Sequence, residues 1–264
     1  MTGAPPDLAE LLRRLIREQG PIAVAGYMAL ALAHPRHGYY ATRDPLGAGG
    51  DFVTAPEVSQ VFGELIGVAL AHYWQVLGVP APVHLVELGP GRGTLLLDLL
   101  RAGATVPGFG DALRIHLVET SPVLRQVQAG RLAGQAVAWH ESVQTVPDDA
   151  PLLVVANEFL DALPVRQFEL TREGWRERVV ALAPAGSFVF ALGAGISAMD
   201  PALRRAWPDA APGSIRELAP AREALASELA RRLVAQGGLA LLIDYGDTAT
   251  RGDTFQAVRG QRKV

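Results

Sequence analysis

His84-Leu-Val-Glu-Leu-Gly-Pro-Gly-Arg-Gly-Thr94 is the stretch that decides the fold. An apolar run of strand length ends at Leu88, glycines follow at 89, 91 and 93, and a helix pattern starts at Thr94. A buried strand that turns through glycines into a helix opens a βαβ unit. The glycines let the backbone bend sharply and let a ligand approach without meeting a Cβ.

Downstream of this stretch, short apolar runs at 83–88, 113–118, 136–139 and 151–156 predict strands, with helices at 94–102 and 121–130 between them. A polar helix at about 217–236 ends at Gly237-Gly238, and Leu239–Asp244 reads as a fifth core strand. Such alternation implies parallel strands joined by right-handed crossovers. Residues 165–191 break the rhythm and read as a small antiparallel insertion.

Upstream, residues 7–19 form an amphipathic helix with Leu8, Leu11, Leu12, Leu15 and Ile16 on one stripe and a capping box at Asp7 and Glu10. A short helix follows Pro21, and turn formers fill 34–40 and 44–51. Thr54-Ala-Pro-Glu57 reads as a second capping box. The helix it opens carries Val58, Val61, Phe62, Leu65, Ile66, Ala69, Tyr73 and Leu77 on its expected inner face. The division expected is a helical region at 1–80 covering the pocket and an α/β core at 81–264, with an insertion at about 165–215. The whole is a mostly parallel, doubly wound, Rossmann-like α/β fold.

Composition narrows the function. Hydrophobic residues make up 49% and charged residues 19%, too apolar for a disordered chain. A net charge of −3 gives no basic footprint for nucleic acid. Without cysteine there is no disulfide or thiolate metal site, and His34 with His37 lacks further ligands, so no metal is expected. No apolar run reaches the roughly 20 residues that span a bilayer, so no membrane insertion is expected. The first residues lack a secretory layout, and Asp7, Glu10 and Glu18 argue against a transit peptide. A cytoplasmic protein is expected.

The loop chemistry discriminates between cofactors. A dinucleotide fingerprint needs glycine at 94, where this chain has Thr94. Glu87 would repel a pyrophosphate but attract the cationic amino group of S-adenosylmethionine. Gly89, Pro90, Gly91, Gly93 and Thr94 are therefore read as cofactor-binding beside Glu87. At the tip of the next strand Glu119 is placed to accept hydrogen bonds from ribose hydroxyls. Glu141 and Ser142, after the third strand, are expected beside the adenine, and Trp139 reads equally well as adenine contact or core. Asp51 and Thr54 belong to a loop, 49–54, expected to fold over the cofactor. Asn157, Glu158 and Asp161 follow the fourth strand, where open α/β sheets bind ligands. The two carboxylates can grip a guanidinium, and they equally suit a helix N-terminus with Asn157 as its cap.

These blocks also resemble the MidA-type family of class I S-adenosylmethionine-dependent methyltransferases, whose eukaryotic members are mitochondrial complex I assembly factors and protein arginine methyltransferases. The resemblance rests on Pro21-Ile22 with Tyr27-Met28, His34-Pro35 with Gly38-Tyr39-Tyr40, and Gly50-Asp-Phe-Val-Thr-Ala-Pro-Glu-Val-Ser-Gln60. It continues through Glu87-Leu-Gly-Pro-Gly-Arg-Gly-Thr94, Ala156-Asn-Glu-Phe-Leu-Asp-Ala-Leu-Pro164 and Leu242-Ile-Asp-Tyr-Gly246. It implies the class I methyltransferase fold, S-adenosylmethionine held by Glu87, Gly89, Gly91, Gly93 and Glu119, and methyl transfer to an arginine of a protein such as a respiratory-chain subunit. A non-catalytic assembly factor that binds the cofactor is the alternative, and a nicotinamide oxidoreductase the weaker one. A homodimer is left open. Family members continue past the block Gly252–Gly260, which implies either that the final antiparallel strands are missing here or that residues 165–191 are not the insertion they read as.

Overall fold

The computed structural model describes residues 7–42, 51–52, 54–246, 252–259 and 262–263. Its centre is a parallel sheet of β1 (Val83–Leu88), β2 (Leu113–Val118), β3 (Val137–His140), β4 (Leu152–Asn157) and β5 (Gly238–Ile243), in the order β5-β4-β1-β2-β3. The chain runs outward from β1 to β3, returns to β4 and runs outward again. The order therefore reverses between β1 and β4, where Leu88 lies opposite Ala156. Ligands of open α/β sheets bind in the crevice that such a reversal opens at the carboxyl ends of the strands.

All six residues of β1 and the first five of β4 are buried, because helices cover both faces. One face packs Leu85, Leu117 and Val155 against α1 (Gln60–Val76) and α2 (Thr94–Gly103), through Ile66, Leu70, Leu96 and Leu99. The other packs Val86, Leu88, Val118 and Val154 against Leu229, which belongs to the helix Pro220–Gln236.

The N-terminal side of α1 differs from the sequence reading. Thr54 makes no side-chain cap bond, and the helix it opens, Ala55–Val58, stops at an extended Ser59 that caps α1 in turn. Val58, Val61 and Leu65 face outward, 53–72% exposed, and the buried face is Gly63, Ile66, Gly67, Leu70, Ala71 and Trp74. The reason is close helix packing. A Cβ on Gly67 would stand 2.4 Å from the Leu99 carbonyl oxygen, so only glycine allows this approach. Gly67→Ala is expected to cost about 1–3 kcal/mol through overpacking. Gly26→Ala, in open space within the helix Val24–Ala33, is expected to be neutral or to stabilise by about 0.5–1 kcal/mol. Urea unfolding of both variants measures the contrast, and equal losses would refute it.

A second sheet is antiparallel. Trp175–Leu182 pairs along one edge with Arg166–Leu170 and Ile22–Ala23, and along the other with Phe188–Leu192, while Arg166–Leu170 also pairs with Ile215–Leu218. Ile215–Leu218 is thus a strand ahead of a helix that begins only at Pro220, later than the expected 217. The chain divides into two compact units: Met1–Tyr39, Leu163–Arg222 and Gly246–Phe255 form one, and Tyr40–Ala162, Glu223–Tyr245 and Gln256–Val264 the other. The first contains the antiparallel sheet and the second the parallel one. The dividing point falls at residue 39 rather than 80, since α1 packs on the parallel sheet's unit while the first two helices cluster with the antiparallel strands. Val258–Arg259 and Arg262–Lys263 pair as a separate short hairpin. Among the described residues no helix is long and apolar enough to cross a membrane.

Candidate cofactor and acceptor site

All of the residues that follow belong to the unit built on the parallel sheet. Gly89, Gly91 and Gly93 take φ of 63°, 52° and 78°, in the left-handed region. At Gly89 the constraint is doubled, because a Cβ would come 2.6 Å from the ring of Phe159. The loop is pinned by the Gly89 N–H donating to the Val118 carbonyl at 3.0 Å and the Gly93 N–H donating to Pro90 at 2.7 Å. Just before it, the Glu87 side chain is 4% exposed, and its Oε2 has no hydrogen-bond partner. Burial pushes its carboxyl up to about 8. An unpartnered buried carboxylate is costly, and a cation bound at the mouth of the glycine loop would offset that cost.

Glu119 sits one strand over, at the tip of β2, and is also buried. Its Oε1 accepts from the Ser121 N–H at 2.7 Å and its Oε2 from Gln128 Nε2 at 3.4 Å. Burial raises its pKa and those bonds oppose the rise. Each carboxylate oxygen retains acceptor capacity for a ribose hydroxyl. Gln128, fully buried, links the site together: Nε2 also donates to the Gly91 carbonyl at 2.7 Å, and Oε1 accepts from Trp139 Nε1 at 2.9 Å. The sequence reading missed Gln128. Its one signal was a polar side chain a helical turn after Leu124, on the buried stripe of the helix Pro122–Arg131.

The other proposed cofactor contacts are arranged differently. The Thr94 hydroxyl donates to Glu57 Oε1 and accepts from Arg131 Nη1, each at 2.5 Å, and Glu57 also pairs with Arg92 at 3.7 Å. Glu57 is therefore used by this cluster and not by a capping box with Thr54. Ser142 Oγ accepts from the Gln144 N–H at 3.2 Å, capping the single turn Val143–Thr145, while Glu141 is exposed. Asp51 and Thr54 are half-buried, and most of the loop before them, 43–50, lies outside the described residues, as does Val53.

After β4 the chain makes turns, not the helix N-terminus that was one of the two readings of Asn157, Glu158 and Asp161. Asp244, at the end of β5, holds this segment: its Oδ2 accepts from the Leu160 and Asp161 N–H groups at 2.7 and 3.0 Å. Glu158 adopts φ 50°, rare for a residue with a side chain, and its N–H donates to Ile243 at 2.8 Å. Asn157 Oδ1 is buried without a partner. Two tyrosines lie in the field of these acids. Tyr40 is pushed up to about 12 by burial and then by the charges of Asp161 and Glu158. Tyr245 reaches about 12 through burial, a hydrogen bond to Glu158, and the charges of Glu158, Asp161 and Asp244. Both phenols stay protonated at neutral pH. Neither tyrosine, nor Asp244, was singled out from sequence.

Comparison with known proteins shows the family. Residues 65–264 match the family model described as "Putative S-adenosyl-L-methionine-dependent methyltransferase". The chain belongs to that family. Among curated relatives, the zebrafish (Danio rerio) protein named protein arginine methyltransferase NDUFAF7, mitochondrial, is 39% identical over 92% of this chain and 63% of its own length. The human protein of the same name is 36% identical over 95% of this chain and 62% of its own. A crystal structure from Burkholderia thailandensis bound to S-adenosyl-homocysteine superposes with a TM-score of 0.69 at 31% identity, covering 96% of this chain and 64% of that one. The chain thus spans a little under two thirds of the length of these proteins. Curated relatives from fish, frogs, fly and mammals are named as mitochondrial, which overturns the expected cytoplasmic location. The acidic residues Asp7, Glu10 and Glu18 that argued against a transit peptide describe only the segment given, and do not decide the compartment.

Proposed function

We propose that this chain binds S-adenosylmethionine at the end of β1 and transfers its methyl group to an arginine side chain of a protein. The observation that carries the reading is Glu87, a buried acid with an unpartnered oxygen directly before a glycine loop. When bound, the cofactor supplies an electrophilic methyl group on a sulfonium. The protein's residues bind and orient. Glu87 takes the ammonium of the methionine moiety, Gly89–Gly93 lie against it, and Glu119, steadied by Ser121 and Gln128, takes the ribose. Glu158, whose N–H is held by the Ile243 carbonyl, and Asp161, whose N–H is held by Asp244, offer two negative charges to a guanidinium that stays protonated at physiological pH. One of them accepts the proton given up as the nitrogen is methylated. The names of the curated relatives support an arginine acceptor, and the family resemblance supports a respiratory-chain subunit.

Calorimetric titration tests the cofactor assignment. S-adenosyl-homocysteine is expected to bind and NAD not to, and Glu119→Ala is expected to weaken the former by roughly 1–3 kcal/mol with the fold retained. Tighter binding of NAD would overturn the reading. Unchanged affinity in Glu119→Ala would remove Glu119 from it.

A further inference from the structure

A chain of hydrogen bonds crosses three strands of the parallel sheet, on the face opposite Glu87. His84 Nε2 meets Asp149 Oδ1 at 2.8 Å, His84 Nδ1 meets His116 Nε2 at 2.9 Å, His116 Nδ1 meets His140 Nε2 at 2.9 Å, and His140 Nδ1 meets Thr145 Oγ1 at 2.9 Å. Thr145 Oγ1 also lies 2.9 Å from the Ser142 carbonyl oxygen. His84 and His116 are buried, whereas the Asp149 side chain at the far end is 75% exposed. The path therefore runs through a buried middle between two exposed ends, Asp149 and Thr145 in the turn at 142–145, beside Glu141 and Ser142.

Counting protons along this path gives two arrangements. A neutral imidazole has one donor and one acceptor, and a threonine hydroxyl has one proton. With three neutral rings and Asp149 as a carboxylate, filling every buried ring-to-ring link requires each ring to donate from Nε2 toward Asp149. Thr145 then gives its proton to His140, and the Ser142 carbonyl loses that bond. One added proton reverses the chain: His140 donates from Nδ1 to Thr145, Thr145 donates to Ser142, and all five links are filled. The extra charge is best placed on His84, next to the Asp149 carboxylate.

We propose that Asp149, His84, His116, His140 and Thr145 form a one-proton relay that sets the hydrogen bonding of the 142–145 turn and, through it, the grip of the pocket edge on the cofactor. The last clause rests on the cofactor reading above together with the sequence expectation that Glu141 and Ser142 border the adenine. The surroundings direct the charge to the Asp149 end. The helix Pro220–Gln236 places Arg232, paired with Glu228, against the turn, where it donates to the Val143 and Val146 carbonyls. The helix Pro122–Arg131 contributes Arg125, bonded to the Glu119 carbonyl. Burial, then the charges of His84, His140 and Arg232, push His116 down to about 4. Burial and then the nearby arginines Arg125 and Arg232 lower His140. Asp149 is lowered by its bond to His84, so it remains a carboxylate.

Long-range proton–nitrogen NMR of the imidazoles, on the whole chain between pH 8 and 5, reads the relay directly. At pH 8 His116 and His140 are expected to carry their protons on Nε2. On acidification both are expected to move them to Nδ1 in one step, as the chain takes up one proton. Thr145→Val removes the hydroxyl that ends the chain, and in it the tautomers of His116 and His140 are expected to change separately. Calorimetry with S-adenosyl-homocysteine adds the functional readout. The affinity ratio of wild type to Thr145→Val is expected to be about 3- to 10-fold larger at pH 6 than at pH 8, the worth of one hydrogen bond. Glu87 titrates in both proteins and cancels in that ratio. Tautomers that do not change, or that change independently, would overturn the relay. An unchanged ratio would overturn its link to the pocket. If S-adenosyl-homocysteine fails to bind wild type at either pH, the cofactor reading and that link fail together, and the NMR titration still decides the relay.

Discussion

Glu87→Gln is expected to lose about 3 kcal/mol of affinity for S-adenosyl-homocysteine, on the order of 150-fold, while making the unliganded protein more stable at alkaline pH. Both effects come from the same buried carboxylate. Its pKa in the folded protein is about 8, raised by burial above the ordinary 4.5. Below pH 4.5 the group is protonated in folded and unfolded chains alike, and its contribution to stability is fully present. As pH rises through 4.5 toward 8 the unfolded chain gives up the proton and the folded chain keeps it, so that contribution declines. Glutamine has no proton to lose. The melting temperature of Glu87→Gln is therefore expected to exceed that of wild type by a margin that grows from pH 5 to pH 9. A bound ammonium reverses the cost by stabilising the charged form, so binding at neutral pH should release a proton, visible as a dependence of the calorimetric enthalpy on buffer ionisation. Equal affinity in wild type and Glu87→Gln would remove Glu87 from the cofactor site. A melting temperature difference that is flat with pH would mean that Glu87 does not titrate in this range.

The parallel sheet was legible because each of its strands is an apolar run closed by a turn signal. The runs at 136–139, 151–156 and 239–244 differ from β3, β4 and β5 by a single residue. The glycine loop was legible because its positive φ angles restrict the residue type. What sequence patterns concealed were contacts made across the fold. The face of α1 was misread because its packing depends on Gly63 and Gly67, which carry no hydrophobic signal, while the exposed valines do. Ile215–Leu218 was hidden because it is a partner strand whose pairing with Arg166–Leu170 spans almost fifty residues of chain. Gln128 and the three histidines of the relay are polar residues on core-facing positions, and only their partners on other strands reveal what they do. Asp244 was read as the end of a strand, yet its carboxylate shapes a turn more than eighty residues earlier.

That turn is the setting for the least conservative expectation. Glu158→Gln should keep cofactor affinity within about twofold and lose methyl transfer by roughly 10²–10⁴-fold, the range for removing a general base. The substitution preserves shape: a glutamine oxygen can still accept from the Tyr245 phenol, and the backbone bond from residue 158 to Ile243 is unaffected. What it removes is charge. A guanidinium keeps its proton until the nitrogen is attacked, so the site must provide a fixed negative partner for the cation and a base for the departing proton. The phenols of Tyr40 and Tyr245, at about 12, supply neither at neutral pH. Glu158 also holds a backbone angle of φ 50°, an uncommon conformation of the kind that clusters at functional sites. Asp161→Asn is expected to act in the same direction with a smaller loss, because its neighbour Glu158 remains charged. A tritiated-methyl transfer assay on arginine-containing peptides, run beside S-adenosyl-homocysteine calorimetry, separates the outcomes. If Glu158→Gln transfers at the wild-type rate but melts several degrees lower, the acid serves to hold the turn and the acceptor is bound elsewhere. If cofactor affinity falls along with transfer, Glu158 belongs to the donor side of the pocket and the acceptor assignment passes to Asp161 alone.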